Sequence, residues 1–535
     1  MKQQARSLMF LGTGSDVGKS ILAAAYCRIL RQDGYRVAPF KAQNMALNSF
    51  ITRQGGEMGR AQVVQAEAAG IEPHVDMNPV LLKPTSQMGS QVIVLGKAVG
   101  NFSALEYYQY KHKLLPVVRD SYRRLARDHD VIVLEGAGSA VELNLKEHDL
   151  VNMAMAEMAD AHCILVGDID RGGIFAALLG SFMLLNAREQ ARILGFMVNK
   201  LRGDPRLFAN GTEILEARSG KPVLGVIPYF DHIALPEEDS VALGRRMRQN
   251  PSAKSRDRLA IGIVRLPFIS NYTDFDCFEQ DPQVELSYFD APPRVFAYDA
   301  VMLPGSKNTL EDLDFLRRSG LADAIAAFYK CGGTVVGICG GYQMLGHSVK
   351  DPGGVESKLG VVPGLGLLEM ETEMFPHKVT SQVEASLLKE ARAYFSAPEG
   401  KPSEVDARSH DNDRDVPRRL RGYEIHMGQS VPRGACRELF RIHRRDGCTV
   451  HVTDGLIGMD GRVWGTYIHG IFDNDRFRRD FLQVLSIRSG KDGALLSGGF
   501  AYEHWKEQQY DLLAEHVRRH TDVARIYRAM GLYTG

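Results

Sequence analysis

The chain has 535 residues, 44% hydrophobic and 24% charged, which suits a globular protein of two to four domains at roughly 100–200 residues each. Lysine plus arginine and aspartate plus glutamate both number 65, so no global basic field exists to draw nucleic acid or an anionic membrane. The seven scattered cysteines hold no CxxC pair, which argues against a disulfide framework and a zinc ribbon, and no stretch reaches the roughly 18 apolar residues of a membrane span, so a reducing, cytoplasmic setting is expected.

The chain opens as strand, glycine loop, helix, strand. Residues 7–11 form an apolar strand. Leu22, Ala25, Tyr26, Ile29 and Leu30 follow helical spacing, Gly34 is a helix stop, and residues 36–41 return as a strand. This βαβ unit predicts a parallel sheet. Its loop reads Gly12-Thr13-Gly14-Ser15-Asp16-Val17-Gly18-Lys19-Ser20. Glycines let backbone N–H groups turn inward around phosphate oxygens, and the helix N-terminus adds partial positive charge. Gly14, Gly18, Lys19 and Ser20 are the expected ATP contacts, Lys19 reaching the β- and γ-phosphates and the Ser20 hydroxyl binding Mg²⁺. The strict pattern has glycine where Thr13 stands, so the loop is a variant, similar to that of dethiobiotin synthetase.

Three further apolar strands, at 131–134, 163–166 and 193–198, extend the sheet and end in polar or glycine-rich sequence, where ligands bind in such sheets. Glu135, at the end of the first, is the expected Mg²⁺ carboxylate. Asn199, after the third, is a weaker candidate for reading the nucleotide base. Residues 248–257 are polar, contain Pro251 and read as a linker.

A second α/β alternation follows: strands at 259–264, 300–303 and 334–338, with helical sequence at 310–329. The charged segment 398–419 reads as a surface loop or insertion. From 501 onward the pattern is helical, with Leu513, Val517, Ala524 and Tyr527 available for a buried face. The expected domains are 1–250, 258–480 and a helical extension, 481–535.

Gly337-Ile338-Cys339-Gly340-Gly341 lies between a strand and helical sequence, which is a nucleophile elbow with cysteine in place of serine. Small neighbours permit the strained turn, and a helix N-terminus lowers the thiol pKa. The Gly340 N–H is an expected oxyanion donor, and Gly305, in the loop ending the neighbouring strand, is the second. His469, at the end of the strand pattern 464–469, is the expected proton shuttle. The other histidines, His426 included, read as ordinary structural residues.

The elbow resembles class I glutamine amidotransferases. With a P-loop half upstream, the chain resembles the cobyric acid synthase and cobyrinate diamide synthase family. The stretches at 39–48, 135–139, 149–153, 167–174, 235–240 and 422–428 favour its cobyric acid synthase branch. The resemblance covers about residues 5–480. It implies an α/β protein: a P-loop, dethiobiotin synthetase-like parallel-sheet domain performing ATP-dependent amide synthesis, then a class I glutamine amidotransferase α/β domain. It further implies Lys41 as holder of the substrate carboxylate or acyl phosphate, and Asp149 and Asn152 as substrate-orienting residues. The expected reaction amidates the b, d, e and g carboxylates of (adenosyl)cobyrinic acid a,c-diamide. It consumes four ATP and four glutamine with Mg²⁺ and uses neither a tightly bound prosthetic group nor a protein ligand to the corrinoid cobalt. One departure stands out. Most class I amidotransferases carry glutamate two residues after the catalytic histidine, where this chain has Ile471. Cys339 and His469 then work as a dyad, or an acid from elsewhere orients the imidazole; Asp473 is near in sequence without a physical claim. Alternative readings are the same chemistry on another carboxylate (cobyrinic acid at a and c, or a cell-wall precursor), or a P-loop regulatory ATPase with an inactive amidotransferase domain.

Overall fold

Leu8, Met9, Phe10 and Leu11 are apolar without a break, as a strand must be when helices cover both faces of its sheet. In the computed structural model, which describes residues 5–46, 48–86, 89–235, 258–395, 419–491 and 499–533, all four are fully buried. The linker expected at 248–257, the charged segment up to residue 418 and the motif positions 236–240 lie outside the described residues. The chain forms two compact units. Met1–Thr52, Gly56–Glu238 and His504–Gly535 make the first; Arg53–Gly55 and Asp239–Glu503 make the second.

The first unit is built on a six-stranded parallel sheet, in the order Val223–Pro228, Ile193–Leu201, His162–Asp168, Arg6–Gly12, Val131–Glu135, Val37–Phe40. Side-chain alternation splits the apolar residues between two cores, Met9 and Leu11 on one face, Leu8 and Phe10 on the other. The edge strand Val223–Pro228 and a four-stranded sheet formed by Gln43–Met45, Val80–Ser86, Gly89–Val94 and Lys97–Ser103 are additions to the expected elements.

The segment read as a helical extension at 481–535 divides. Helix Asp475–Arg488 runs into it and belongs to the second unit, whereas His504–Gly535 belongs to the first. There Tyr510, Leu513, Ala514, Val517, Ile526, Tyr527 and Met530 share the core of Leu8 and Phe10. Arg28, itself buried, is bonded by Asp511 at 2.7 Å and Glu507 at 2.8 Å. Ala524, expected on the buried face, is exposed. The helix breaks after Arg519, Thr521 bridges to Gly225, and the Asp522 cap restarts the helix in a new phase that turns Ile526 inward.

The second unit carries a ten-stranded mixed sheet. Its parallel part runs Val284–Phe289, Leu259–Val264, Ala300–Leu303, Thr334–Ile338, Val463–Thr466. An antiparallel part continues through Cys448–Gly458, Cys436–Arg445, Val379–Leu387, Leu420–His426 and Ile468–His469. The helical stretch expected at 310–329 is two helices, Thr309–Arg318 and Leu321–Lys330, because Gly320 adopts φ +79° and breaks the run.

Candidate active sites

The glycine loop of the first unit lies at the carboxyl end of its central strand, between Arg6–Gly12 and helix Lys19–Gln32. Gly18 is at φ +102°, and a Cβ there would sit 2.1 Å from Asn199 Nδ2. Thr13 needs no glycine freedom. Its backbone is extended, donating to Val166 O at 3.0 Å and bridging to Ser139. Lys19 Nζ donates to Gly14 O at 2.8 Å and Gly138 O at 3.0 Å, so its ammonium spans the hollow of the loop. Asn199 is buried beneath, its amide nitrogen given to Val17 O at 2.9 Å, so it braces the loop backbone.

Glu135 gathers the polar side chains around it. Its Oε1 accepts from Ser20 Oγ at 2.7 Å and Lys41 Nζ at 2.8 Å. Its Oε2 accepts from Gln65 Nε2 at 2.6 Å and Gln62 Nε2 at 3.4 Å. Burial pushes this carboxyl up, but the Lys41 ammonium and the hydrogen bonds from Lys41, Ser20 and Gln65 outweigh it and hold the pKa below the ordinary range. Asn152 grips the adjoining loop, donating to Ala137 O (2.9 Å) and Ser139 O (3.1 Å) and accepting from Ala137 N (3.0 Å). The Asp149 carboxylate accepts from the backbone of Val151, Asn152 and Ala154.

In the second unit Cys339 joins strand Thr334–Ile338 to the short helix Gly340–Met344 at φ 53°, ψ −110°, a strained conformation for any residue with a side chain. The glycines around it are sterically required. A Cβ on Gly341 would meet Leu303 O at 2.0 Å, and one on Gly337 would meet Gly341 C at 2.6 Å. Gly340 faces the opposite loop, where a Cβ would lie 2.9 Å from Ser306 N. Gly305 of that loop packs against the histidine, its Cβ position 3.3 Å from His469 Cε1. Cys339, Gly340, Gly305 and His469 are thus brought together.

His469 is buried and oriented from two sides. Its ring stacks on Tyr423, with centroids 5.1 Å apart, and Nδ1–H donates to Asp274 Oδ2 at 2.7 Å. Asp274 Oδ1 also accepts from Gly470 N at 2.9 Å. Burial pulls the imidazole pKa down, yet the charges of Asp274 and of the Cys339 sulfur raise it to about 10. Nε2 has no hydrogen-bonded nitrogen or oxygen among the described residues, and the ring's remaining interaction is with the Cys339 sulfur. His426 stacks on Tyr467 at 3.8 Å and donates from Nδ1 to Gly428 O at 3.0 Å.

Both halves match known families. Residues 8–242 match the CobQ/CobB/MinD/ParA nucleotide binding domain, and residues 260–477 the CobB/CobQ-like glutamine amidotransferase domain. The chain is 68% identical over 530 residues to cobyric acid synthase of Syntrophobacter fumaroxidans, covering 99% of each. It is 48% identical to that of Photorhabdus laumondii subsp. laumondii, covering 98% of each. The chain belongs to the cobyric acid synthase family. Among solved structures it is similar to PurLQS from Thermotoga maritima, at TM-score 0.29 and 17% identity over 47% of this chain and 99% of that one. Among the described residues no helix is long and apolar enough to cross a membrane.

For a member of this family the question left open by Ile471 now has an acid attached to it. Asp274 comes from 195 residues upstream and accepts the imidazole Nδ1–H. In sequence it lies in Asn271-Tyr272-Thr273-Asp274-Phe275, a carboxylate among aromatics that matches no catalytic motif. The short helical turn Tyr272–Phe275 buries it, with Asn271 at φ 52° opening the turn. Asp274→Asn is expected to slow glutamine hydrolysis by about 10⁴-fold. The folded His469 pKa lies above the ordinary value, so the pair's contribution to stability is complete below about pH 6.5 and is lost as pH rises through about 10. Imidazole NMR titration of the Asn variant should show that high pKa fall.

Proposed function

We propose that this chain makes cobyric acid by amidating the b, d, e and g carboxylates of (adenosyl)cobyrinic acid a,c-diamide, drawing on ATP and glutamine in the cytoplasm. The observation that carries the reading is the pairing, in one chain of this family, of a phosphate loop backed by Ser20, Glu135 and Lys41 with a Cys339–His469–Asp274 site.

A carboxylate resists attack because its charge repels nucleophiles and its oxygens leave poorly. Transfer of the ATP γ-phosphoryl to a carboxylate oxygen gives an acyl phosphate and ADP. Ammonia then attacks the carbonyl carbon, and phosphate leaves with the former carboxylate oxygen. Gly14, Gly18 and Lys19 hold the triphosphate, with Asn199 bracing the loop through Val17 O. Mg²⁺ fits the hard oxygen donors of Ser20 and Glu135, beside which the buried Gln65 Oε1 has no hydrogen-bond partner among the described residues. When bound there it neutralises charge developing on the phosphates. Lys41, one hydrogen bond from Glu135, holds the carboxylate or its acyl phosphate. Asn152 and Asp149 orient substrate by fixing the 137–139 loop and the turn after it.

Ammonia must arrive unprotonated. The Cys339 thiolate attacks the glutamine amide carbon, and the tetrahedral oxyanion is met by the backbone at Gly340 and Gly305. His469 gives its Nε2 proton to the departing ammonia, and water then cleaves the thioester to glutamate.

Mass spectrometry of cobyrinic acid a,c-diamide incubated with the protein, ATP, Mg²⁺ and glutamine tests the reading. Four successive replacements of OH by NH₂ are expected. An unchanged diamide, alongside two such replacements on cobyrinic acid itself, would assign the chain to the a and c carboxylates instead.

A further inference from the structure

Helix Thr309–Arg318 carries a carboxylate that the chemistry above does not use. Asp312, in its first turn, has no exposed surface. Its Oδ2 accepts from Ser306 Oγ at 2.5 Å, and its Oδ1 accepts from Phe268 N at 3.0 Å. These bonds reach Ser306 in one strand and Phe268 at the mouth of the other, in a two-residue antiparallel ladder where Ile269 pairs with Ser306 and Ser270 with Gly305. Lys307 N closes the ladder on Phe268 O at 2.9 Å.

Each strand leads to a different part of the glutaminase site. Beyond Ser270 the chain turns at Asn271 into Tyr272–Phe275 and delivers Asp274 to His469. The other strand is the loop that brings Gly305 against His469 and Ser306 N against Gly340. Asp312 is therefore bonded at the root of both. Burying a carboxyl costs stability unless its bonds do something a hydrocarbon cannot. Burial raises this one to about 7, against the hydrogen bonds from Ser306 and Phe268.

We infer that Asp312 is a positioning residue of the glutaminase site, a clamp that sets the oxyanion loop relative to the arm carrying Asp274. The inference rests on the assignment of Cys339 and His469 as the glutaminase pair. Steady-state glutamine hydrolysis by the full chain tests it. Asp312→Ala is expected to lower kcat about 10²-fold while KM stays within about threefold. Asp312→Asn can still accept from Phe268 N and donate to Ser306 Oγ, and is expected to recover to within about tenfold of the unsubstituted chain. Amidation driven by added ammonia should be unchanged in both. The inference is overturned if Asp312→Ala keeps its kcat, if Asn is no better than Ala, or if ammonia-driven amidation falls in proportion. Should Asp312→Ala not fold, Ser306→Ala removes one end of the clamp alone. It is expected to lower kcat about tenfold at constant KM, and an unchanged kcat overturns the inference. Full glutaminase activity in Cys339→Ala would instead sink the assignment on which the inference stands.

Discussion

Cys339→Ala is expected to abolish glutamine-driven amidation, with glutamine hydrolysis falling by about 10⁵-fold, because no other group in the elbow can form the thioester. The loss should be confined to nitrogen supply. The Ser20, Glu135 and Lys41 cluster belongs to the other unit, so ammonia added at high concentration, and at a pH that leaves enough of it unprotonated, should restore amide formation. The comparison of nitrogen sources is the informative measurement. A variant inactive with both would mean that Cys339 serves the synthetic step as well. A variant that still released ammonia from glutamine would remove the sulfur nucleophile from the mechanism.

Lys19→Ala is expected to do the reverse: amidation should fall by about 10³-fold with either nitrogen source, as charge on the transferring phosphoryl goes uncompensated. Glutamine hydrolysis should persist at its basal rate. Lys19 donates to the backbone carbonyls of Gly14 and Gly138, and both can turn to water when the ammonium is gone. The thermal transition should therefore move little, which separates a catalytic loss from an unfolded first unit. Amidation at the wild-type rate in this variant would rule out phosphoryl transfer over the glycine loop.

What was legible in the sequence was local. The continuous apolar strands at 7–11, 131–134, 163–166 and 193–198 announce a buried parallel sheet because nothing else tolerates such runs flanked by helices. The two glycine turns are legible for a related reason: Gly18 and Gly341 stand where a Cβ would collide with Asn199 or Leu303, so their spacing is imposed by sterics. Asp274 was not legible. Only the fold brings it to His469, and a lone aspartate among aromatics is no pattern by itself. Gln62 and Gln65 are no more legible, since their convergence on Glu135 depends on how helix Arg60–Ala69 meets the sheet. Ala524 falls off the buried face because the helix ends at Arg519 and restarts at Asp522 in a new phase, a break that periodicity alone does not reveal.

The return of residues 504–535 to the first unit has a genetic consequence. A premature stop anywhere between 240 and 503 would leave the nucleotide loop intact in the encoded chain, yet strip Tyr510, Leu513, Val517, Ile526 and Tyr527 from above Leu8 and Phe10. At about 1.5–3 kcal/mol for each of these large apolar side chains, such a fragment would forfeit an amount comparable to a typical domain's whole margin of about 5–15 kcal/mol, and the shortened product should aggregate or be degraded instead of surviving as a free-standing ATPase.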